Sequence, residues 1–216
     1  FGRAASHDLR EPLRALDGFA TALAEDFGDA LDEDATFYLA RIHAAGERLA
    51  ERIEALLTLS QLIRRPFAPA PLDLAPLAQL ACTECARACP ERRIDWSIAP
   101  GLWTTGDPLL LNAALRALID NAIKFSACRD PANVEVGQRD GAFFVRDDGV
   151  GFDPAFGDRI FQAFTRYHTP DEFPGLGMGL ALASCAVERH GGRLWAETVE
   201  GEGATFWFTL TPGTAR

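Results

Sequence analysis

The run Ser6-His7-Asp8-Leu9-Arg10-Glu11-Pro12-Leu13 opens an apolar seam that continues through Leu16, Ala20, Leu23 and Phe27. Alternating steps of four and three residues are the spacing of a helix that packs along one stripe. At roughly 100° per residue, His7 lies about 160° from the centre of that stripe. Its ring is therefore expected to face water. The segment alone leaves two readings, a surface histidine with no special role or a histidine kept for chemistry. Pro12 removes a helical hydrogen bond and crowds the preceding turn, which predicts a kink beside His7.

Gly28 ends this pattern, Asp32 can cap a second helix, and Glu33 and Asp34 suit its N-terminus. In that second stretch Ile42, Leu49, Leu56 and Ile63 recur every seven residues, with Leu39 and Ile53 beside them. Two such helices make an antiparallel hairpin, and a lone hairpin leaves much of its stripe exposed. Pairing with a second copy buries it, so residues 1–65 are expected to form a homodimer as a four-helix bundle.

The Pro-rich stretch 66–71 reads as a linker to a second domain, 72–216. There the pattern turns mixed. Helices are expected at 75–89, at 108–125 and from 180, with strands at 94–98, 102–105, 134–138 and 142–146. This is an α+β domain.

A formal charge of -10 over 216 residues argues against nonspecific nucleic-acid binding, which relies on cations neutralising phosphates. With 48% hydrophobic residues the chain can bury a core, and it offers no apolar run of the roughly 18 residues that a membrane span needs. The five cysteines suggest no disulfide framework and a reducing cytoplasm. Cys82, Cys85 and Cys89 share one helical face, either as small buried residues or as an incomplete metal or redox set. Beginning without Met and without a signal pattern, the chain is expected to be the C-terminal portion of a longer protein. The missing part would decide any membrane anchoring.

Three clusters carry chemistry. Asp120, Asn121 and Lys124 stand near the end of the helix at 108–125. The strand at 142–146 runs straight into Asp147-Asp148-Gly149-Val150-Gly151. Gly175-Leu176-Gly177-Met178-Gly179 precedes an apolar helix, so backbone amides gather where phosphate is favoured. Each cluster has a plain alternative as a solvated helix end or a tight loop. Their order fits neither a Walker loop nor a dinucleotide fold.

Together with the His7 hairpin, these motifs resemble those of the sensor histidine kinases. Residues 6–13 are similar to the family's H box, 118–126 to its N box, 147–151 and 175–179 to its two glycine boxes, and 161–164 to its F box. The resemblance implies a dimerising phosphotransfer hairpin followed by a two-layer α/β sandwich, an ATP-binding catalytic domain with a mixed sheet whose last two strands fit 193–199 and 204–210. It implies a Mg²⁺- and ATP-dependent kinase that phosphorylates its own His7 and passes the phosphoryl group to an aspartate of a response regulator. The H box wording is closest to that of phytochrome-type kinases.

The same resemblance assigns roles. His7 becomes the phosphoacceptor, and Asp8 the acid that orients its ring and takes its proton. Asn121 presents Mg²⁺ to the phosphates, and Lys124 adds positive charge. Asp147 accepts the adenine amino group, while Gly149, Gly151, Gly175, Gly177 and Gly179 let backbone approach the nucleotide. Arg166 reaches the transferring phosphoryl group, and Thr205 places a hydroxyl near the nucleotide. The segment 167–174 resembles the lid over ATP and is expected to be mobile without it. Two departures stand out: Ala117 replaces an additional Asn of many relatives, and Glu11 replaces the Thr or Asn tied to phosphatase activity. The alternatives are a degenerate kinase serving as a nucleotide-binding scaffold and a nonkinase ATPase, which leaves the His7 hairpin unexplained.

Overall fold

The computed structural model describes the backbone of residues 2–169, 172–173 and 175–211. The side chains of residues 1–10, 13, 17 and 29 lie outside the described residues, and with them the orientation expected for His7 and Asp8. The chain divides into two units, Phe1–Arg64 and Arg65–Arg216.

The first unit is a hairpin of α1 (Gly2–Phe27) and α2 (Glu33–Arg64), joined through a 3₁₀ turn at Gly28–Ala30. Pro12 sits inside α1 without interrupting it. The carboxylate of Asp32 accepts the Ala35 amide at 2.7 Å, satisfying one of the amides that a helix start leaves unpaired. Ala20 and Ile53 are buried, but Leu16, Leu23, Phe27, Ile42, Leu49, Leu56 and Ile63 are 45–57% exposed. Half of the seam is thus uncovered within one chain.

The second unit holds β1 (Ala70–Asp73), α3 (Leu74–Ala88), β2 (Ile94–Ile98), β3 (Trp103–Gly106), α4 (Pro108–Phe125), β4 (Ala132–Arg139), β5 (Ala142–Asp147), α5 (Gly179–Arg189), β6 (Leu194–Val199) and β7 (Gly203–Phe208). Five strands form a mixed sheet in the order β2-β4-β5-β7-β6, with β2 and β4 parallel and every other pair antiparallel. Helices α3, α4 and α5 pack on one face, giving the two-layer sandwich expected from the sequence. Asp107 caps α4 by accepting the amides of Leu109 and Leu110 at 3.0 and 3.3 Å. From there Leu110, Leu111, Leu115, Leu118 and Ile119 are fully buried against Val145 and Phe208 of the sheet layer.

One feature differs from the sequence reading. The stretch read as a linker ends inside β1, which pairs with β3 from Ala70 opposite Gly106 to Asp73 opposite Trp103. A strand of this length leaves almost no periodicity, and its proline is tolerated because a two-stranded ribbon is all edge. Of the two readings of the thiols, the structure matches the small buried residues, with Cys82 and Cys85 in the core. Burial raises Cys82 to about 12 and Cys85 to about 11, so neither offers a thiolate near neutrality and both are packing residues.

Leu118→Ala should lower the unfolding free energy of the second unit by about 2–5 kcal/mol, the usual cost of emptying a closed core site. Trp96, Trp103, Trp195 and Trp207 all lie in this unit, so tryptophan fluorescence in urea reports on it alone. A loss below about 1 kcal/mol would contradict the burial described.

Candidate functional site

The end of α4 is held from two sides, and the turn beside it is fastened in its own right. Arg92 donates to the carbonyls of Ile123 and Ser126, satisfying groups that a helix end leaves unpaired. The Val150 amide donates to the Phe125 carbonyl at 3.0 Å. Arg129 ties the carbonyls of Asp148 and Gly201 together at 2.8 Å each. A Cβ on Gly149 would stand 2.4 Å from the Phe125 carbonyl, so only glycine lets this turn press against the helix. The strand end bearing Asp147 is thereby locked beside the helix end bearing Asn121 and Lys124.

Between them lies a cavity of about 240 Å³. Its wall includes Asp120, Asn121, Lys124, Asp147, Gly151 and Arg166, together with the loop from Gly175 to Gly179. Sequence-named residues from α4, from the turn after β5 and from the start of α5 therefore meet around one space. No side chain caps α5 at Met178, so its first-turn amides remain available at the cavity rim. A Cβ on Gly177 would lie 2.5 Å from the Thr165 carbonyl, and the residue's φ of +71° suits glycine. The Gly177 carbonyl in turn accepts the Phe164 amide at 2.9 Å.

Asp147 is only 4% exposed. Burial pushes its carboxyl up to about 6, although the amides of Gly149 and Ala204 both donate to it and favour the ion. The Gly149 bond measures 2.9 Å. Gly149 does not itself line the cavity; it serves the site by packing and by holding Asp147. Burial also pulls Lys124 below the ordinary lysine range, helped by the Arg166 guanidinium and opposed by Asp120. The Lys124 ammonium stands 4.5 Å above the Phe125 ring. Arg166 donates to the carbonyls of Phe173 and Gly175, and so ties these two residues to its own loop.

One expectation is corrected. Thr205 does not line the cavity: on β7 its neighbours Ala204 and Phe206 do, and strand alternation turns Thr205 to the opposite face, level with Arg146 and Glu197. His7 and Asp8 belong to the other unit. What the sequence reading missed is the apolar wall formed by Phe125, Phe152, Tyr167, His168 and Phe173. His168 packs on Phe125 and Phe173 with ring centroids 5.4 and 4.9 Å away, and Phe173 meets Phe125 at 5.0 Å. The His168 Nε2 lies 3.2 Å from the Gly151 carbonyl. The density of rings between 152 and 173 was the available signal.

Comparison with known proteins agrees with this geometry. Residues 1–64 match the His Kinase A (phospho-acceptor) domain, and residues 106–214 match the histidine kinase-, DNA gyrase B-, and HSP90-like ATPase family. Cyanobacterial phytochrome A from Nostoc sp. is 37% identical over 227 residues, covering 99% of this chain and 28% of that protein. The methanogenesis regulatory histidine kinase FilI of Methanothrix harundinacea is 36% identical over 212 residues, covering 95% of this chain and 24% of that protein. Among solved structures, full-length ShkA in complex with AMPPNP aligns with a TM-score of 0.66 at 26% identity, over 100% of this chain and 47% of that one. The chain thus spans less than a third of the length of these curated relatives. No helix among the described residues is long and apolar enough to cross a membrane. A phospho-acceptor hairpin joined to an ATPase domain with this sheet order and this cavity makes the chain a member of the sensor histidine kinase family.

Proposed function

We propose that this chain is a kinase core that transfers the γ-phosphoryl group of ATP to His7 and then to an aspartate of a response regulator. The observation that carries the proposal is the convergence of Asn121, Lys124, Asp147, Arg166 and the glycine loop of α5 on one cavity. Their chemistry fits a magnesium nucleotide. Asp147 is an acceptor at the apolar end, suited to an exocyclic amine. The uncapped start of α5 offers amides to phosphate oxygens, and a Cβ on Gly179 would only graze Ala117 and Asn121 at 3.8–3.9 Å, which leaves room for close approach.

Asn121 would hold Mg²⁺ through its carboxamide oxygen, with Asp120 beside it on the cavity wall. The ion supplies charge neutralisation at the phosphates. Lys124 adds a second positive group, and its weakened solvation makes it a stronger partner for an anion. Arg166 already has both guanidinium arms on lid carbonyls. In this proposal it reaches the transferring group by exchanging one of those carbonyls for a phosphoryl oxygen, so lid and substrate compete for it.

At His7 one ring nitrogen attacks the γ-phosphorus while the P–O bond to ADP breaks and ADP leaves with the bonding pair. The opposite N–H passes its proton to Asp8. The exposed half-seam on α1 and α2 supports dimerisation through the hairpin. An upstream sensor domain completes the reading, since the relatives extend well beyond the matched region.

Incubation with Mg²⁺ and γ-labelled ATP should give protein-bound label that is acid-labile and alkali-stable, and His7→Gln should abolish it; label persisting in that variant would overturn the assignment. Light scattering should give about twice the chain mass of 23.5 kDa. Leu49→Glu with Leu56→Glu should halve that value, and a monomeric wild type at micromolar concentration would contradict the dimer. The last prediction concerns pH. Only ionised Asp147 accepts from the adenine amine without giving up a proton site, and its carboxyl titrates near 6. Affinity for an ATP analogue should be level above about pH 7 and fall about tenfold between pH 7.5 and 5. Asp147→Asn should bind more weakly and lose this dependence beyond the titration of the nucleotide itself, and a wild-type profile no steeper than that of the variant would refute the assignment.

A further inference from the structure

Three of the first four residues after α2 are fastened to the ATPase unit. The Arg189 guanidinium donates to the Arg65 carbonyl at 2.6 Å and lies over the Phe67 ring. The Phe67 ring meets His190 edge-on with centroids 4.9 Å apart. The Ala68 amide donates to Asp107 Oδ2 at 3.0 Å, and β1 begins at Ala70. No free tether intervenes, because α2 runs to Arg64.

The anchor beneath this strap is a buried polar pair. His190 is 4% exposed and Asp107 is 1% exposed. His190 Nδ1 donates to the Ala186 carbonyl at 2.6 Å, and its Nε2 accepts the Asp107 amide at 2.8 Å, an arrangement that requires the neutral ring. Burial keeps the His190 ring below the ordinary histidine range, consistent with that state. Burial opposes ionisation of Asp107, but the amides of Ala68, Leu110 and Leu109 and the nearby Arg65 outweigh it and hold the carboxyl below its usual value. A Cβ on Gly106 would lie 2.8 Å from the His190 ring, so the turn before Asp107 closes directly on the histidine. Three segments therefore meet here: the strap, the start of α4 and the end of α5.

Those two helices also reach the nucleotide cavity at their other ends, α4 through Asn121 and Lys124 and α5 through Gly179. At 1.5 Å per residue, α4 places the cavity about 25 Å from the strap. By the same rise, the end of α2 stands about 16 Å along the hairpin axis beyond the level of His7. A phosphoryl donor at the end of so long an arm reaches an acceptor accurately only if the root of the arm is stiff.

We infer that Arg189, Phe67 and the His190–Asp107 pair act as a positioning clamp that confines inter-unit motion to the Arg64–Arg65 junction and so sets the arc on which the bound nucleotide meets His7. The inference rests on the kinase reading above. Phe67 is 37% exposed, so Phe67→Ala combined with Arg189→Gln loosens the strap without opening the core. The expected result at saturating ATP is a single-turnover labelling rate of His7 at least fivefold lower, with the dissociation constant of an ATP analogue unchanged within about twofold. Phe67→Tyr, which keeps the ring, should label at the wild-type rate. An unchanged labelling rate in the double variant, or an equal loss of nucleotide affinity, would overturn the inference. Hydrogen exchange gives a readout independent of labelling. The Ala68 amide should be protected in the wild type and lose that protection in the double variant, while amides of α4 and α5 keep theirs. An unprotected Ala68 amide in the wild type would sink the clamp whatever the kinase assay shows; absent labelling with a protected Ala68 would instead refute the kinase reading and, with it, the clamp's role in positioning.

Discussion

The burial of α4 determines where the polar groups of the ATPase unit can stand. Leu110, Leu111, Ala114, Leu115, Leu118, Ile119 and Ala122 are at most 1% exposed, so the helix has no freedom to roll or slide against the sheet. Its two ends are then the places where polar side chains emerge in fixed positions. At the start Asp107 gathers the amides of Ala68, Leu109 and Leu110, and at the end Asn121 and Lys124 open onto the cavity. One packed helix therefore positions both the strap and the polar groups at the cavity wall.

At the cavity, the balance between burial and hydrogen bonding is what gives Asp147 its character. A carboxylate removed from water is costly, and two backbone donors offset that cost only in part, so the group titrates near 6 rather than near 4. The pressed turn at Gly149 creates this state, because the same backbone that packs on Phe125 also supplies one donor. Lys124 and Arg166 are short of solvation or already engaged, so both stand to gain when an anion arrives. The rings of Phe125, His168 and Phe173 pack on one another and form an apolar wall of the same cavity.

Much of this was legible in the sequence for identifiable reasons. The seven-residue recurrence from Ile42 to Ile63 is long enough to specify a helix, and the observed α2 contains it whole. The expected helix at 108–125 is α4 to the residue, because Asp107 and Pro108 mark its start in chemistry as well as in pattern. The glycine motifs were visible as motifs, but their separate physical roles were not. Gly149 packs and donates, whereas Gly151 and Gly177 take positive φ. Thr205 was misplaced because a one-residue shift along a strand reverses the face, and only the pairing of Ala204 with Asp147 fixes it. Strand β1 was hidden by its proline and its length, and the strap with it. The His190–Asp107 pair joins residues 83 positions apart, a relation that no local pattern carries.

The central claim is that a nucleotide occupies the cavity between α4, the turn after β5 and the start of α5. Titration of the wild-type chain with a nonhydrolysable ATP analogue and Mg²⁺, followed amide by amide by NMR, tests it most directly. The account predicts the largest shifts at Gly149, Gly151, Gly177, Gly179 and Ala204, which surround Asp147 and the rim of the cavity. Shifts concentrated instead at Asp95, Ser97, Glu135 and Arg146, in the groove on the opposite face of the sheet, would contradict it.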